Sequence, residues 1–473
     1  MKKIHKIKII LFLGIIAVPL ISMNFKKNVA SEIDNRMLVD FDEIFDDSDE
    51  VIYKFESFVN DRIGFRERMV KSYGRAMDIL LDEMVHPNYQ YGKDGYVYLK
   101  LPETNVDLRF QELFSSFIKD FETYCKDRGI DFLYALEPSK STIYPEYLPE
   151  GYIRNTENLD YFTDLLDEKG INYLSNVDTL LKAKEENQVF DPKYDAGHWN
   201  ETGAIYGISA MIDRLNDLDN RVGSFDINKF EAVPFVNTSL MNSDFPINET
   251  TTHYELKEYN LEYVEDYEYE IIRHEDFRYY NHYVNKANPD GPKLLIFAGS
   301  YFNNKEKFIA GNFSEIMKIH NYRNVLDYEY YINIYQPDMV LFESTEYTNT
   351  GYHYPKKTME NKTLIKNINS YSNLKEDDLV EINQTTFTKS NTNLTTITIP
   401  YEGEDILNAY AVINGRVLDL QVKTVEDNKY VGFSIINKEI SDTDSFDLYF
   451  LSTDEERYEK VELKLMNNEE SRM

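Results

Sequence analysis

Hydrophobic and polar residues follow two repeating patterns along the middle of the chain. Apolar positions at three-to-four-residue spacing predict amphipathic helices over 106–128, 155–170 and 202–216. Short apolar runs predict strands, namely IDFLYALEPS (130–139), INYLS (171–175), KLLIFAGS (293–300) and PDMVLFES (337–344). Helices that alternate with short buried strands are typical of a parallel sheet covered by helices on both faces. The pattern therefore predicts an α/β domain.

Three neighbouring regions depart from this alternation. Residues 32–81 show a helical pattern, and YGKDGYVYL (91–99) predicts a β-hairpin with a Lys-Asp-Gly turn. Residues 220–290 are crowded with Tyr, Glu and Asn, which suggests antiparallel strands inserted into the α/β domain. We therefore expect one domain over 30–375 with a β-rich insert near 220–290.

The C-terminal part has a different periodicity. Alternating apolar positions recur at eight-to-twelve-residue intervals in TTITIPY, AYAVING, LDLQVKTV, YVGFSIIN, FDLYFLS and KVELKL. Strands at this spacing, with turn residues between them, are typical of a small β-sandwich. Residues 376–473 are therefore expected to form an all-β, sandwich-like domain.

Residues 1–29 have the composition of a membrane signal. A basic start, MKKIHKIK, precedes an uncharged stretch from Ile9 to Met23. This stretch is short for the roughly 30 Å hydrocarbon core unless flanking lysines snorkel, so a signal peptide and a signal anchor both remain open. Poor cleavage sites favour an uncleaved anchor. The lysines that precede it favour a single-pass membrane protein with its catalytic part outside the cytoplasm, or a secreted protein if the signal is cleaved.

Charge and cysteine content exclude several function classes. The chain of 473 residues has a formal net charge of −32, which repels nucleic acid, because phosphate binding requires clustered Lys and Arg. Cys125 is the single cysteine, and no Cys/His spacing typical of a metal site is present. We therefore expect neither a nucleic-acid partner nor a metal or other cofactor.

Two separate stretches carry candidate chemistry. LLIFAGSYF delivers Ser300 to the carboxyl edge of a sheet, where ligands of doubly wound folds bind. In DAGHWN, Asp195 lies three residues before His198, so a short turn lets the carboxylate orient the imidazole towards Ser300. Simpler interpretations stay open: Gly-Ser can be an ordinary strand-to-loop turn, and a His beside a Trp can be a packed surface feature. A zinc site at Asp195 and His198 lacks an obvious third ligand.

Six stretches, in this order, resemble a known family. They are FESFVNDRIGFRERMVKSYGRAM (55–77), YGKDGYVYL (91–99), EPSKSTIYPEYLP (137–149), DAGHWNETGA (195–204), FAGSYFNN (297–304) and YQPDMVLFESTEY (335–347). Together they resemble the SGNH-hydrolase-like polysaccharide O-acetyltransferases, that is, the AlgJ/AlgX-like proteins of alginate acetylation, called the DHHW family in Gram-positive bacteria. The resemblance implies an SGNH-hydrolase-like parallel sheet in a bacterial protein of the cell surface.

The resemblance also implies residue roles. Ser300 is the expected acetyl-carrying nucleophile, His198 the general acid/base and Asp195 its orienting partner, with the backbone N–H of Ser300 or Tyr301 as oxyanion donor. The family usually has the acid two residues before the His, where this chain has Ala196, and an arginine often stands where this chain has Tyr347.

Three functions follow as hypotheses. The first is an extracytoplasmic O-acetyltransferase that receives acetyl groups from a membrane-bound O-acyltransferase partner and passes them to a cell-surface or secreted polysaccharide. The second is a carbohydrate acetyl esterase of the same fold. The third is a non-catalytic glycan-binding surface protein that uses the tyrosine-rich insert and the β-sandwich.

Overall fold

The computed structural model describes most of the chain. The described residues are 2–27, 29–31, 36–45, 51–81, 83–86, 88–100, 107–152, 154–241, 245–258, 260–264, 273–274, 276–360, 386–389, 394–401, 406–413, 416–425, 428–436 and 447–452.

The N-terminal part is dominated by three helices and two short strand pairs. Its elements are α1 (Lys2–Ile21), β1 (Ala30–Ser31), β2 (Arg36–Met37), α2 (Val51–Arg62), α3 (Arg66–Leu81), β3 (Tyr89–Tyr91) and β4 (Val97–Leu99). By length and composition Lys3–Ile21 is apolar enough to cross a membrane, a test that a signal sequence also passes. The end of α1 contacts the α2–α3 turn, where Gly64 N donates to Pro19 O at 2.8 Å.

The predicted hairpin is present as β3 and β4, which pair antiparallel. In its turn Asp94 has φ +54° and Gly95 has φ +78°. Glycine has no Cβ and so enters this left-handed region without strain.

The middle part alternates helices and strands. The helices are α4 (Leu108–Asp127), α5 (Lys140–Ile143), α6 (Glu157–Glu168), α7 (Val177–Ala183), α8 (Glu201–Leu218), α9 (Glu306–Ala310), α10 (Tyr328–Tyr335) and α11 (Lys356–Glu360). The strands are β5 (Asp131–Glu137), β6 (Tyr173–Ser175), β7 (Phe230–Ser239), β8 (Pro246–Leu256), β9 (Leu261–Tyr263), β10 (Tyr280–Asn285), β11 (Lys293–Ala298), β12 (Glu315–His320) and β13 (Met339–Thr345).

A seven-stranded sheet forms the centre, in the order β6-β5-β13-β11-β12-β10-β9. The first five strands in this order are mutually parallel, and β10 and then β9 continue the sheet through antiparallel pairing. Alternate residues of β11 enter opposite cores: Phe297 packs with Phe121 of α4, and Ile296 lies in the core that contains Ile208 of α8. The predicted α/β class, with helices on both faces of a mostly parallel sheet, is confirmed.

Strand β12 of the central sheet was not predicted, and neither were the short helices of this region, including α10. In EIMKIH a lysine interrupts the apolar run, yet Lys318 is fully buried and its Nζ lies 3.1 Å from Glu306 Oε1. Burying a lysine is costly unless it is paired, so its presence in an inner strand is not visible from hydrophobicity alone.

The tyrosine-rich region divides between two structures. Strands β7 and β8 form a separate two-stranded hairpin, whereas β9 and β10 extend the central sheet. The expected antiparallel strands are therefore present, but part of the region belongs to the main sheet itself.

Antiparallel strands follow in the C-terminal part. They are β14 (Thr386–Lys389), β15 (Leu394–Tyr401), β16 (Ile406–Ile413), β17 (Arg416–Asp419), β18 (Gln421–Val425), β19 (Asn428–Ile436) and β20 (Asp447–Ser452). They form sheets in the orders β14-β15-β19-β18 and β17-β16-β20, so LDLQVKTV supplies one strand to each sheet. The domain boundary expected near 375 and the segment KVELKL lie outside the described residues.

Asp419 connects these strands to the α/β core. Its carboxylate accepts a hydrogen bond from Arg128 Nη2 at 2.8 Å and another from the Tyr124 hydroxyl, and its carbonyl accepts from Asn333 Nδ2 at 2.8 Å. Arg128 and Asp419 are both nearly buried, so removal of one charge leaves the other without compensation.

We predict that Asp419→Ala lowers the free energy of unfolding by about 3–5 kcal/mol, because Arg128 would stay buried without its partner. Thermal melting of the purified full chain measures the change. The control is Glu262→Ala, which removes the exposed partner of Lys286 and should cost under about 1 kcal/mol. Equal shifts for the two variants would contradict the prediction.

Candidate active site

Ser300 lies at the carboxyl edge of the sheet. Strand β11 ends at Ala298, and the chain turns through Gly299 into a short 3-10 turn over Ser300–Phe302. Because β11 lies between the parallel strands β12 and β13, the serine emerges at the middle of this edge. This is the usual position of ligand sites in open α/β sheets.

His198 and Asp195 lie in the loop that leads into α8. His198 Nε2 lies 2.8 Å from Ser300 Oγ, and His198 Nδ1 lies 2.9 Å from Asp195 Oδ2 and 3.0 Å from Oδ1. The structure therefore brings all three side chains into one hydrogen-bonded series. The separation of 2.8 Å between Ser300 Oγ and His198 Nε2 permits proton transfer from the hydroxyl to the imidazole.

A tight turn explains the spacing of Asp195 and His198. Asp195 Oδ1 accepts hydrogen bonds from the backbone N–H groups of Gly197 and His198, each at 2.9 Å. The carboxylate thus closes its own turn and meets the imidazole on the same side. An acid three residues before the histidine can therefore occupy the orienting position.

Electrostatics favour an ionised Asp195. Burial opposes ionisation, but the charge of His198 and the hydrogen bonds to the carboxylate together hold the pKa of Asp195 below its ordinary value. Burial lowers the pKa of His198, but the charge of Asp195 and its hydrogen bond to the imidazole have the larger effect, so the pKa of His198 is raised above its ordinary value. The imidazole is therefore a stronger base than a free histidine.

Trp199 and Tyr301 join the two loops that carry His198 and Ser300. Trp199 Nε1 donates to Tyr301 O at 2.9 Å, and the Tyr301 hydroxyl lies 2.8 Å from Gly197 O. The indole packs where Gly207 lacks a side chain, since a Cβ there would lie 2.3 Å from the indole. These contacts fix the position of the loop that carries His198 relative to the turn that carries Ser300.

Lys140, in the SKS sequence after β5, binds backbone carbonyls of the loop that carries His198. It is buried, and its Nζ donates to the carbonyls of Val97, Asp191 and Pro192 at 2.8, 2.6 and 3.0 Å. Burial lowers the pKa of Lys140 to about 8, opposed by the charge of Asp195. Sequence reasoning noted this stretch but gave the lysine no role.

The β7–β8 hairpin also forms hydrogen bonds with the loop that carries His198. Glu249 accepts hydrogen bonds from the backbone N–H groups of Lys193 and Tyr194, and the Thr251 hydroxyl donates to Asp191 Oδ1 at 2.8 Å. The tyrosine-rich region thus contributes to the geometry of the site.

The fold and the site geometry can be compared with known proteins. Residues 91–271 match the family model described as "SGNH hydrolase-like domain, acetyltransferase AlgX". Over these residues the chain is similar to an AlgX-type SGNH hydrolase-like domain. The predicted resemblance is thereby confirmed; the matched range includes Asp195 and His198 and ends before Ser300. None of the curated proteins matches this chain.

Several solved structures are similar. Bacillus cereus PatB1 is 17% identical, over 56% of this chain and 98% of its own, with a TM-score of 0.45. The O-acetyltransferase domain of Pseudomonas putida AlgJ is 13% identical over 58% and 98%, with a TM-score of 0.41. A DHHW family protein from Eubacterium siraeum is 15% identical over 60% and 98%, also with a TM-score of 0.41.

Backbone N–H groups are available at Ser300. Within the described residues, the backbone hydrogen bonds of the turn use the N–H groups of Phe302 and Asn303, and none uses that of Ser300 or Tyr301. Free N–H groups at the start of a turn are suited to bind a developing oxyanion. Among all the residues that the structure describes, no group of three or more His, Cys, Asp or Glu side chains has an arrangement that could hold a metal ion.

A second buried acid lies beside the turn that carries Ser300. Glu343, in β13, is fully buried, and its Oε2 accepts a hydrogen bond from Gly299 N at 2.7 Å. Burial raises the pKa of Glu343 to about 7. Sequence reasoning missed this role, although a glutamate inside the apolar run MVLF-E-S was a visible signal.

We predict that ionisation of Glu343 destabilises the fold at alkaline pH. Its pKa is higher in the folded than in the unfolded chain, so its stabilising contribution is complete below about pH 4.5 and is lost as the pH rises through about 7. A shift of this size corresponds to about 3 kcal/mol. Glu343→Gln keeps an acceptor for Gly299 N and removes the titration.

Thermal melting of both proteins from pH 5 to pH 8 is the measurement. The two melting temperatures should converge at low pH, and the variant should become the more stable protein at pH 8. Burial and the charge of Glu343 raise the pKa of Glu137, a neighbouring buried acid, so the difference between the two proteins also includes the loss of this repulsion in the variant. Parallel pH curves would contradict the prediction.

Proposed function

We propose that this protein is an O-acetyltransferase in which Ser300 carries the acetyl group, His198 is the general acid/base and Asp195 orients His198. The observation that supports the proposal most directly is the hydrogen-bonded series from Ser300 Oγ through the imidazole to the Asp195 carboxylate. The family description of residues 91–271 as an acetyltransferase domain supports the same reaction class.

The residues would act in two half-reactions. In the first, His198 Nε2 takes the Ser300 proton as Oγ bonds to the acetyl carbonyl carbon, whose π electrons move to its oxygen. Collapse of this intermediate breaks the bond to the leaving group, which takes the proton from His198. In the second, an acceptor hydroxyl gives its proton to His198 and its oxygen bonds to the acetyl carbon. The bond from that carbon to Ser300 Oγ then breaks, and Oγ takes the proton back from His198. Backbone N–H groups of Ser300 and Tyr301 would bind the oxyanion.

The acceptor and donor belong to the same proposal. The acceptor is a hydroxyl group of a cell-surface or secreted polysaccharide, and the donor is acetyl exported by a membrane-bound O-acyltransferase partner. The alternative is a carbohydrate acetyl esterase, in which water replaces the sugar hydroxyl in the second half-reaction. The side-chain arrangement at Ser300 serves both reactions, so the acceptor decides between them.

We predict that the full chain incubated with p-nitrophenyl acetate gains one acetyl group on the Ser300 peptide. Ser300→Ala should give no adduct, and His198→Ala should acylate several orders of magnitude more slowly, because the base is lost. Asp195→Asn should slow acylation by a smaller factor, because the imidazole keeps its contact with Ser300. Intact-mass and peptide mass spectrometry measure the adduct.

Acceptor dependence separates transfer from hydrolysis. Addition of a polysaccharide acceptor should move the acetyl group from Ser300 to the glycan, whereas an esterase releases acetate at the same rate with or without acceptor. An unmodified Ser300 together with unchanged glycan binding by Ser300→Ala would instead favour the glycan-binding protein.

The location is a further part of the proposal. We infer a signal anchor that holds the protein in the cell membrane with Ser300 on the extracytoplasmic side. The length and apolar composition of Lys3–Ile21 and the exposure of most of its side chains support this location.

We predict that the full-length protein stays in the membrane fraction after alkaline carbonate washing, because a spanning helix is not removed by salt or high pH. Immunoblotting of membrane and culture-medium fractions is the measurement. A mature N-terminus near Glu32 in the medium would contradict the anchor and favour a cleaved signal peptide.

A further inference from the structure

Strand register places a tyrosine directly beside Ser300. Strands β11 and β12 are parallel neighbours, and Ala298 pairs with His320. Ser300 and Tyr322 each lie two residues beyond this pair, so they leave the sheet side by side. A Cβ atom built on Gly299 would lie 3.6 Å from the Tyr322 hydroxyl oxygen. The phenol therefore faces the turn that carries the serine.

The backbone and neighbouring rings fix the direction of this phenol. Tyr322 has φ +52°, a left-handed conformation that non-glycine residues adopt at a cost. Its ring stacks on His353 with a centroid distance of 4.2 Å and meets Phe277 edge-on at 5.0 Å. His320 lies against it at 4.7 Å. The ring is thus enclosed on several sides and its hydroxyl is directed towards the site.

The enclosing histidines are uncharged. Burial lowers the pKa of His320 to about 3 and that of His353 to about 4. Neutral imidazoles pack against the phenol as aromatic rings. Burial raises the pKa of Tyr322 above its ordinary value, while hydrogen bonding to the Ser300 side chain opposes that rise. Tyr322 therefore remains a protonated hydrogen-bond donor at all physiological pH values.

We propose that Tyr322 is a further catalytic residue, whose phenol O–H donates a hydrogen bond to the acetyl carbonyl oxygen as it becomes negatively charged during acylation of Ser300. The inference rests on the proposed role of Ser300 as nucleophile. The phenol keeps its proton throughout, so the transfer from Ser300 to His198 and then to the leaving group is unchanged. Tyr322 adds a side-chain donor to the backbone N–H groups of Ser300 and Tyr301 and stabilises the intermediate.

The test compares two variants that each lose one phenol oxygen. Tyr322→Phe keeps the ring stacked on His353 and removes the donor. The matched control is Tyr354→Phe, which removes a buried hydroxyl whose ring contacts Tyr322 at 5.8 Å, with no described contact to Ser300. The full chain is mixed with p-nitrophenyl acetate, and the first turnover is followed by nitrophenolate release and by mass spectrometry of the Ser300 peptide, alongside thermal melting of each variant.

Tyr322→Phe is expected to slow single-turnover acylation by about 100- to 1,000-fold, the usual loss for one oxyanion donor, with little change in substrate saturation. Tyr354→Phe should acylate at the wild-type rate. An acylation rate for Tyr322→Phe within about threefold of Tyr354→Phe would overturn the inference, because a purely structural ring is preserved by Phe. Failure of the proposed function has a different signature, since wild-type Ser300 would then acquire no acetyl group at all.

Discussion

The parallel pairing of β11 with β12 and β13 is the constraint on which the site depends. All three strands are inner strands with almost entirely buried side chains, so their register is fixed by packing on both faces. That register places the chain ends of the three strands side by side at one edge. Ser300, Tyr322 and Glu343 meet at this edge, although more than forty residues separate Ser300 from Glu343.

A second constraint is the attachment of the histidine loop to this edge. The loop has little regular structure of its own, and its position depends on hydrogen bonds from other elements. Lys140 of α5 donates hydrogen bonds to carbonyls of the loop, and Glu249 of the hairpin accepts hydrogen bonds from its backbone N–H groups. Trp199, within the loop, donates a hydrogen bond to the turn that carries Ser300. Helix α5, the β7–β8 hairpin and the turn that carries Ser300, all distant from the loop in sequence, therefore hold the imidazole 2.8 Å from the serine.

Burying polar groups at this edge has an energetic cost that is consistent with a functional site. Glu343, Lys140 and Lys318 are all fully or almost fully buried, and burial shifts the pKa of each towards the neutral form. Hydrophobic residues of similar volume would serve the core without that penalty. Shifted acids and bases concentrated at one sheet edge are the pattern expected where proton transfer takes place.

The sequence by itself determined the α/β class, most of the strands and the identity of Ser300, His198 and Asp195 as candidates, because hydrophobic periodicity and short turn motifs are local properties. It did not reveal β12, whose apolar run is interrupted by Lys318, since the partner that permits burial of that lysine comes from another element. The three-residue spacing already predicted that Asp195 reaches the imidazole through a short turn, because that contact is local. Only the tertiary structure decided that His198 Nε2 meets Ser300 Oγ, because the two residues lie 102 positions apart in separate loops. Likewise, the positions of Lys140, Tyr322 and Glu343 around the serine depend on strand register and loop packing, which bring together residues that have no sequence relation to one another.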